Sequence, residues 1–100
     1  MAAISISDCT VYNNPREDGL KELTIVTPAT ADTGDTIAVT LADYGIKSLL
    51  WIHGVVHSTA NSVLVEEAPT TSVSSGVLTI TIGGSSVSNK IRVYKVIGSC

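Results

Sequence analysis

The chain has 100 residues, of which 44% are hydrophobic and only 15% charged, with a net charge of −3. That length holds one small core, and the low charge with mean hydropathy of +0.36 argues against disorder. An acidic balance and six scattered basic residues exclude a phosphate-tracking surface, and no apolar run reaches the roughly 18 residues of a membrane helix.

The N-terminus, MAAISISDCT, lacks a basic stretch followed by an apolar one, so it does not read as a secretory signal. Ile4 and Ile6 alternate within AISIS. NNPREDG (13–19) is a polar loop with Pro15 and Gly19 as breakers. Residues 1–19 are the least core-like part of the chain and suit an extended N-terminal arm on a single β domain spanning 1–100. KELTIVTP (21–28) reads as a strand with Leu23 and Ile25 on one face. TIAVTL (36–41) alternates cleanly, and ADYG (42–45) forms one helical or 3₁₀ turn closed by Gly45.

LLWIHGVVHS (49–58) follows, the most apolar stretch, holding the only Trp and both His. As a strand it places Leu49, Trp51, His53, Val55 and His57 on one face, and Leu50, Ile52, Gly54 and Val56 on the other. SVLVEE (62–67) is a further strand with a charged end. APTTSVSS (68–75) reads as a Ser/Thr loop, GVLTITIGG (76–84) as the clearest strand, and KIRVYKVIG (90–98) as the last. Short strands at about ten-residue intervals, with no helix beyond a turn, define an all-β fold. The expected architecture is an antiparallel β-sandwich or barrel of about six to eight short strands.

Few residues here carry chemistry. His53 and His57 have zinc-protease spacing on a helix, but on a strand they stand ~13 Å apart, too far to share one metal. Cys9 and Cys100 lack metal-binding context, and free thiols are favoured over a bridge because no signal peptide is present. Gly83-Gly84-Ser85-Ser86 lies between strands and reads as a hairpin turn, since a phosphate cradle needs a following helix. Glu66 and Glu67, adjacent on a strand, point to opposite faces and cannot act together. Lys90, Arg92 and Lys95 form only a loose basic group. No cofactor or metal is expected.

Asp32-Thr33-Gly34 matches the signature of aspartic proteases, whose retroviral-type members are homodimers of chains about this long. Two Asp32 carboxylates would then share a proton and activate water. The flanking residues depart from that family. Pro28-Ala29-Thr30-Ala31 replaces an apolar strand, Asp35 adds a charge, and no Gly-rich flap is recognisable. A polar turn, with Gly34 at positive φ and Asp32 as its cap, is the simpler account.

With both faces largely apolar, the 47–57 strand should be central, its outer face covered by another chain. Leu50, Trp51, Ile52, His53 and His57 are the expected interface residues, with Trp51 as the anchor.

The succession TIAVTLADYGIKSLLWIHGVVHS, SVLVEEAPTTS, GVLTITIGG and NKIRVYKVIG, over residues 21–98, resembles small structural proteins of tailed-phage virions. The resemblance implies a non-enzymatic capsid decoration or cement protein. Its partner would be the major capsid protein, and it would act as a homo-oligomer on the capsid surface after synthesis in the host cytoplasm. A phage tail or fibre component is the alternative within that class, and the dimeric protease the alternative outside it.

Overall fold

The computed structural model describes residues 3–15, 20–59, 62–83 and 89–99. Nine strands form among them: β1 (Ala3–Ile4), β2 (Thr10–Pro15), β3 (Leu20–Val26), β4 (Thr36–Thr40), β5 (Ser48–Thr59), β6 (Val63–Glu66), β7 (Thr70–Ser74), β8 (Val77–Thr81) and β9 (Arg92–Ser99). They make a β-sandwich, with one sheet in the order β1-β4-β8-β7 and the other β2-β3-β9-β5-β6. All pairings are antiparallel except the two-residue contact of β1 with β4. A contact that short needs no crossover helix.

Alternation of side chains across the pleat builds the core. Leu23 and Ile25 from β3, with Tyr94 and Val96 from β9, face Ile37, Val39, Leu78 and Ile80 from β4 and β8, and all eight are buried. Leu41 and Ile46 close one end, beside a 3₁₀ turn over Leu41–Tyr44. Gly45 ends that turn at φ 72°, as its position after ADY predicts.

Three expectations need correction. Residues 3–15 are largely extended and are tied to the sandwich: β1 joins one sheet, and all six residues of β2 pair with β3. Within AISIS only Ala3–Ile4 is a strand, and Ile6–Asp8 turns as a 3₁₀ helix that passes the chain from one sheet to the other. The Ser/Thr stretch 68–75 is not wholly loop, since Thr70–Ser74 is β7. Ser75 and Gly76, both at positive φ, make the tight turn that folds β7 onto β8.

The third correction concerns β5. Leu49 is opposite Gly98 and Trp51 is opposite Ile97, so Leu50 is an extra residue, a β-bulge. The bulge shifts the alternation by one. Leu49 therefore shares the core side with Ile52, and both pack against the core, while Trp51 and Leu50 are 45% and 56% exposed. Without the bulge Leu49 and Trp51 would share a face.

Gly54 allows the central strands to close on the core. A Cβ there would lie 2.6 Å from the Glu67 carbonyl oxygen and 2.7 Å from the Tyr94 ring. The backbone neighbour cannot yield cheaply. Gly54→Ala is expected to destabilise the fold by about 1–3 kcal/mol or more, read as a lowered denaturation midpoint in urea with an unchanged slope.

Candidate functional site

The outer face of the five-stranded sheet follows from the register. Val26, Val93 and Val55 form one apolar row across β3, β9 and β5. Thr24, Lys95 and His53 form the next, then Glu22, Ile97 and Trp51. The Trp51 and His53 rings stack at 5.5 Å between centroids and 6° between planes. His53 Nε2 is 3.4 Å from Glu66 Oε1, and Lys95 Nζ is 3.4 Å from Glu22 Oε1. The charges on this face are therefore arranged in pairs around apolar rows.

The expected interface residues separate by position. Trp51, His53 and His57 lie on the outer face, with no bulge between them. Leu50 projects at the bulge. Ile52 packs on the core instead. His53 and His57 remain two strand pleats apart on one face, as the strand reading requires. His53 borders a shallow depression with Ile52, Gly54, Glu66, Glu67, Ala68 and Pro69.

Six exposed large hydrophobic side chains, Leu50, Trp51, Val63, Leu64, Val65 and Val73, come from β5, β6 and β7, whereas Tyr12 lies on β2 at the opposite edge of its sheet. Among the described residues β6 and β7 are edge strands of the two sheets. Sequence reading located Leu50 and Trp51 but not Val63, Leu64 and Val65. Their signal was present: three consecutive apolar residues in a strand, followed by Glu66-Glu67, mark an edge.

Inside, the chemistry is structural. Arg92 and Glu67 are both fully buried and pair side-on: Arg92 Nε donates to Glu67 Oε1 at 2.7 Å and Nη2 to Oε2 at 3.3 Å. Arg92 Nη1 also donates to the Ala31 carbonyl. The Arg92 backbone N–H reaches Thr27 Oγ1 at 2.9 Å, and the Thr27 N–H returns to the Arg92 carbonyl. Arg92 thus leaves the loose basic group with Lys90 and Lys95 exposed on the surface. Glu66 and Glu67 do face opposite ways, but only Glu66 can serve as a charged edge residue.

Asp32-Thr33-Gly34 forms a turn. Asp32 Oδ1 accepts the Thr33 N–H at 2.8 Å, and Asp35 Oδ2 accepts the Asp32 N–H at 3.1 Å. Gly34 has φ 92°, and its N–H donates to the Ile82 carbonyl. The carboxylates hold backbone donors within the loop, an arrangement that fixes the β3–β4 connection against the end of β8.

Cys9 is half-buried, and burial followed by the Asp8 charge pushes its thiol pKa up, which suppresses the reactive thiolate. Cys100 lies outside the described residues, and with it the question of a bridge. The expected Gly-Ser hairpin is not one, because β8 and β9, which this segment joins, lie in different sheets and do not pair; its residues 84–88 lie outside the described residues. Among the described residues, no three His, Cys, Asp or Glu side chains gather as metal ligands, and no helix is long and apolar enough to cross a membrane.

No family model matches this chain, and no curated protein matches it in sequence. Among solved structures it is similar to the fibre head protein of bovine atadenovirus type 4, at 13% identity and a TM-score of 0.50. The likeness covers 87% of this chain and 81% of that one. At such identity it shows a shared fold: the β-sandwich architecture also serves as a viral fibre head.

Two results are expected from the buried cluster. Arg92→Met or Glu67→Leu alone leaves one charge uncompensated and costs about 3–5 kcal/mol, while the double variant recovers most of it; chemical denaturation of the three variants checks this. Tyr94 is pushed above the ordinary phenol pKa by burial first and the Glu67 charge second, with Arg92 opposing. Because the folded state holds that proton more tightly, its contribution to stability is intact below about pH 10 and is lost as the pH rises beyond. Tyr94→Phe should therefore lose less stability than wild type above that pH, measured as thermal midpoints across an alkaline series.

Proposed function

We propose that this chain is a structural virion protein of tailed-phage type. It self-associates, binds the major capsid protein lattice at the capsid surface, and reinforces the shell. One observation carries the reading: exposed apolar residues gather on β5, β6 and β7 of a sandwich whose buried charges, Arg92 and Glu67, are engaged in holding the fold. A surface of that kind favours protein–protein contact, and repetition over a lattice multiplies weak contacts into firm attachment. The order of strand motifs over residues 21–98 supports the phage assignment.

A second reading within the same class, a fibre or tail component, is favoured by the fold likeness to an adenovirus fibre head. The two differ in copy number. A lattice-bound module is present at a multiple of the capsid symmetry, whereas a fibre or tail component is present at a few copies per tail.

Quantitative mass spectrometry of purified virions separates the readings. Decoration predicts copy numbers that scale with the major capsid protein; a small fixed number indicates the fibre or tail role, and absence from virions contradicts both. In parallel, Asp32→Asn is expected to leave virion incorporation unchanged, and the wild-type protein to show no pepstatin-sensitive peptide cleavage at acid pH. Loss of such an activity in the variant would instead establish the protease alternative.

A further inference from the structure

The strand β6 is an open edge of unusual composition. Val63, Leu64 and Val65 are 47%, 54% and 45% exposed, and among the described residues no strand pairs with β6 on the side away from β5. An edge of this kind normally carries a Lys, a Pro or a bulge that discourages further pairing; β6 itself has only Glu66 at its end, and the register shift beside it falls on β5, between His57 and Thr59. Here the hydrophobic residues occupy both faces of the strand.

The hydrogen bonds identify which backbone groups face outward. The Glu67 N–H donates to the Gly54 carbonyl, so Glu67 addresses β5. Val65, two residues earlier, shares that direction, and the alternating residues Leu64 and Glu66 address the open side. The outward groups form a row that water can satisfy and that another extended backbone can pair with throughout.

We infer that β6 pairs antiparallel with β6 of a second copy of this chain, across a two-fold axis at Leu64, joining two five-stranded sheets into one. The inference rests on the self-association proposed above and names its surface. In that register Leu64 meets Leu64 of the other copy on the outer face, and Val63 meets Val65 on the core side. Both faces of the apolar edge are covered at once, by residues of the same kind.

The polar groups select the register. Pairing at Leu64 sets Glu66 opposite Ser62 of the other copy, where a hydroxyl donor meets the exposed carboxylate. The two Glu66 carboxylates then lie four residues apart, ~13 Å along the strand. Moving the axis to Val65 brings them two residues apart, ~7 Å, and places like charges as near neighbours. Pairing at Leu64 also leaves Glu66 beside His53 of its own chain.

Two measurements test the pairing. With Cys9 and Cys100 replaced by Ser, Leu64→Cys places two thiols at the axis, where opposed Cα atoms are ~5.5 Å apart, within disulfide reach. Under mild oxidation the variant should form a covalent dimer at least tenfold faster than Thr40→Cys, an exposed control on the other sheet. Sedimentation equilibrium should show a dimer for wild type. It should show a monomer for Leu64→Pro, which removes an outward N–H and no internal ladder bond. If that variant fails to fold, Leu64→Lys and the cross-linking decide the matter. Oligomers that persist in these variants without a Leu64→Cys cross-link overturn the edge pairing alone. A wild type that stays monomeric at every concentration overturns self-association as well. Oxidation that joins Leu64→Cys in virions to a different protein, and not to itself, overturns the choice of a second copy.

Discussion

The ion pair between Arg92 and Glu67 is the constraint on which the sandwich depends. Neither residue reaches solvent. A buried charge tolerates no movement of its partner, because separation leaves each group desolvated and unpaired. The Arg92 guanidinium therefore fixes three segments together: its own strand β9, the β6–β7 connection through Glu67, and the β3–β4 connection through Ala31. The β6–β7 segment is where the chain leaves one sheet for the other, so the pair also fixes how the two sheets meet. Gly54 and Tyr94 complete the arrangement, since the ring packs into the space that the missing Cβ leaves beside the Glu67 backbone.

This internal anchor has a consequence for the surface. Because Glu67 must turn inward, Glu66 and Leu64 face the outside of the sheet, and Val65 and Val63 take the core side of this edge strand. The bulge at Leu50 acts similarly at the other end of β5. It returns Leu49 to the core and leaves Leu50 and Trp51 outside. Two local devices, a buried acid and an inserted residue, thereby set which hydrophobic side chains are exposed.

Much of the fold was legible in the sequence. Strict alternation in TIAVT and in GVLTITI located β4 and β8 and their buried faces, and a glycine after ADY marked the end of a turn. The signature Asp32-Thr33-Gly34 forms a polar turn, as its Pro, Thr and Asp neighbours suggest. The shift at Leu50 was not legible. A bulge is a property of two strands, set here by the opposing residues Gly98 and Ile97, which are distant in sequence. Arg92 and Glu67 were misleading for a related reason. An ionised side chain reads as surface until its partner is known, and these two are 25 positions apart. The strand β7 was hidden by composition, since Thr and Ser suit loops and edge strands equally. Of the exposed hydrophobic residues, Leu50 and Trp51 stand out in the most apolar stretch, whereas the signal of Val63, Leu64 and Val65 lies in a short apolar run before Glu66-Glu67.

Native-state hydrogen exchange tests the anchoring role of the ion pair most directly. The amides of Thr27, Glu67 and Lys90 donate to the Arg92, Gly54 and Ala31 carbonyls around the buried pair. If the pair fastens these segments, the three amides exchange only through global unfolding, together with the central residues of β3 and β9. Exchange of Glu67 and Lys90 at the rate of the exposed edge strand β7, while β3 and β9 remain protected, would contradict the account.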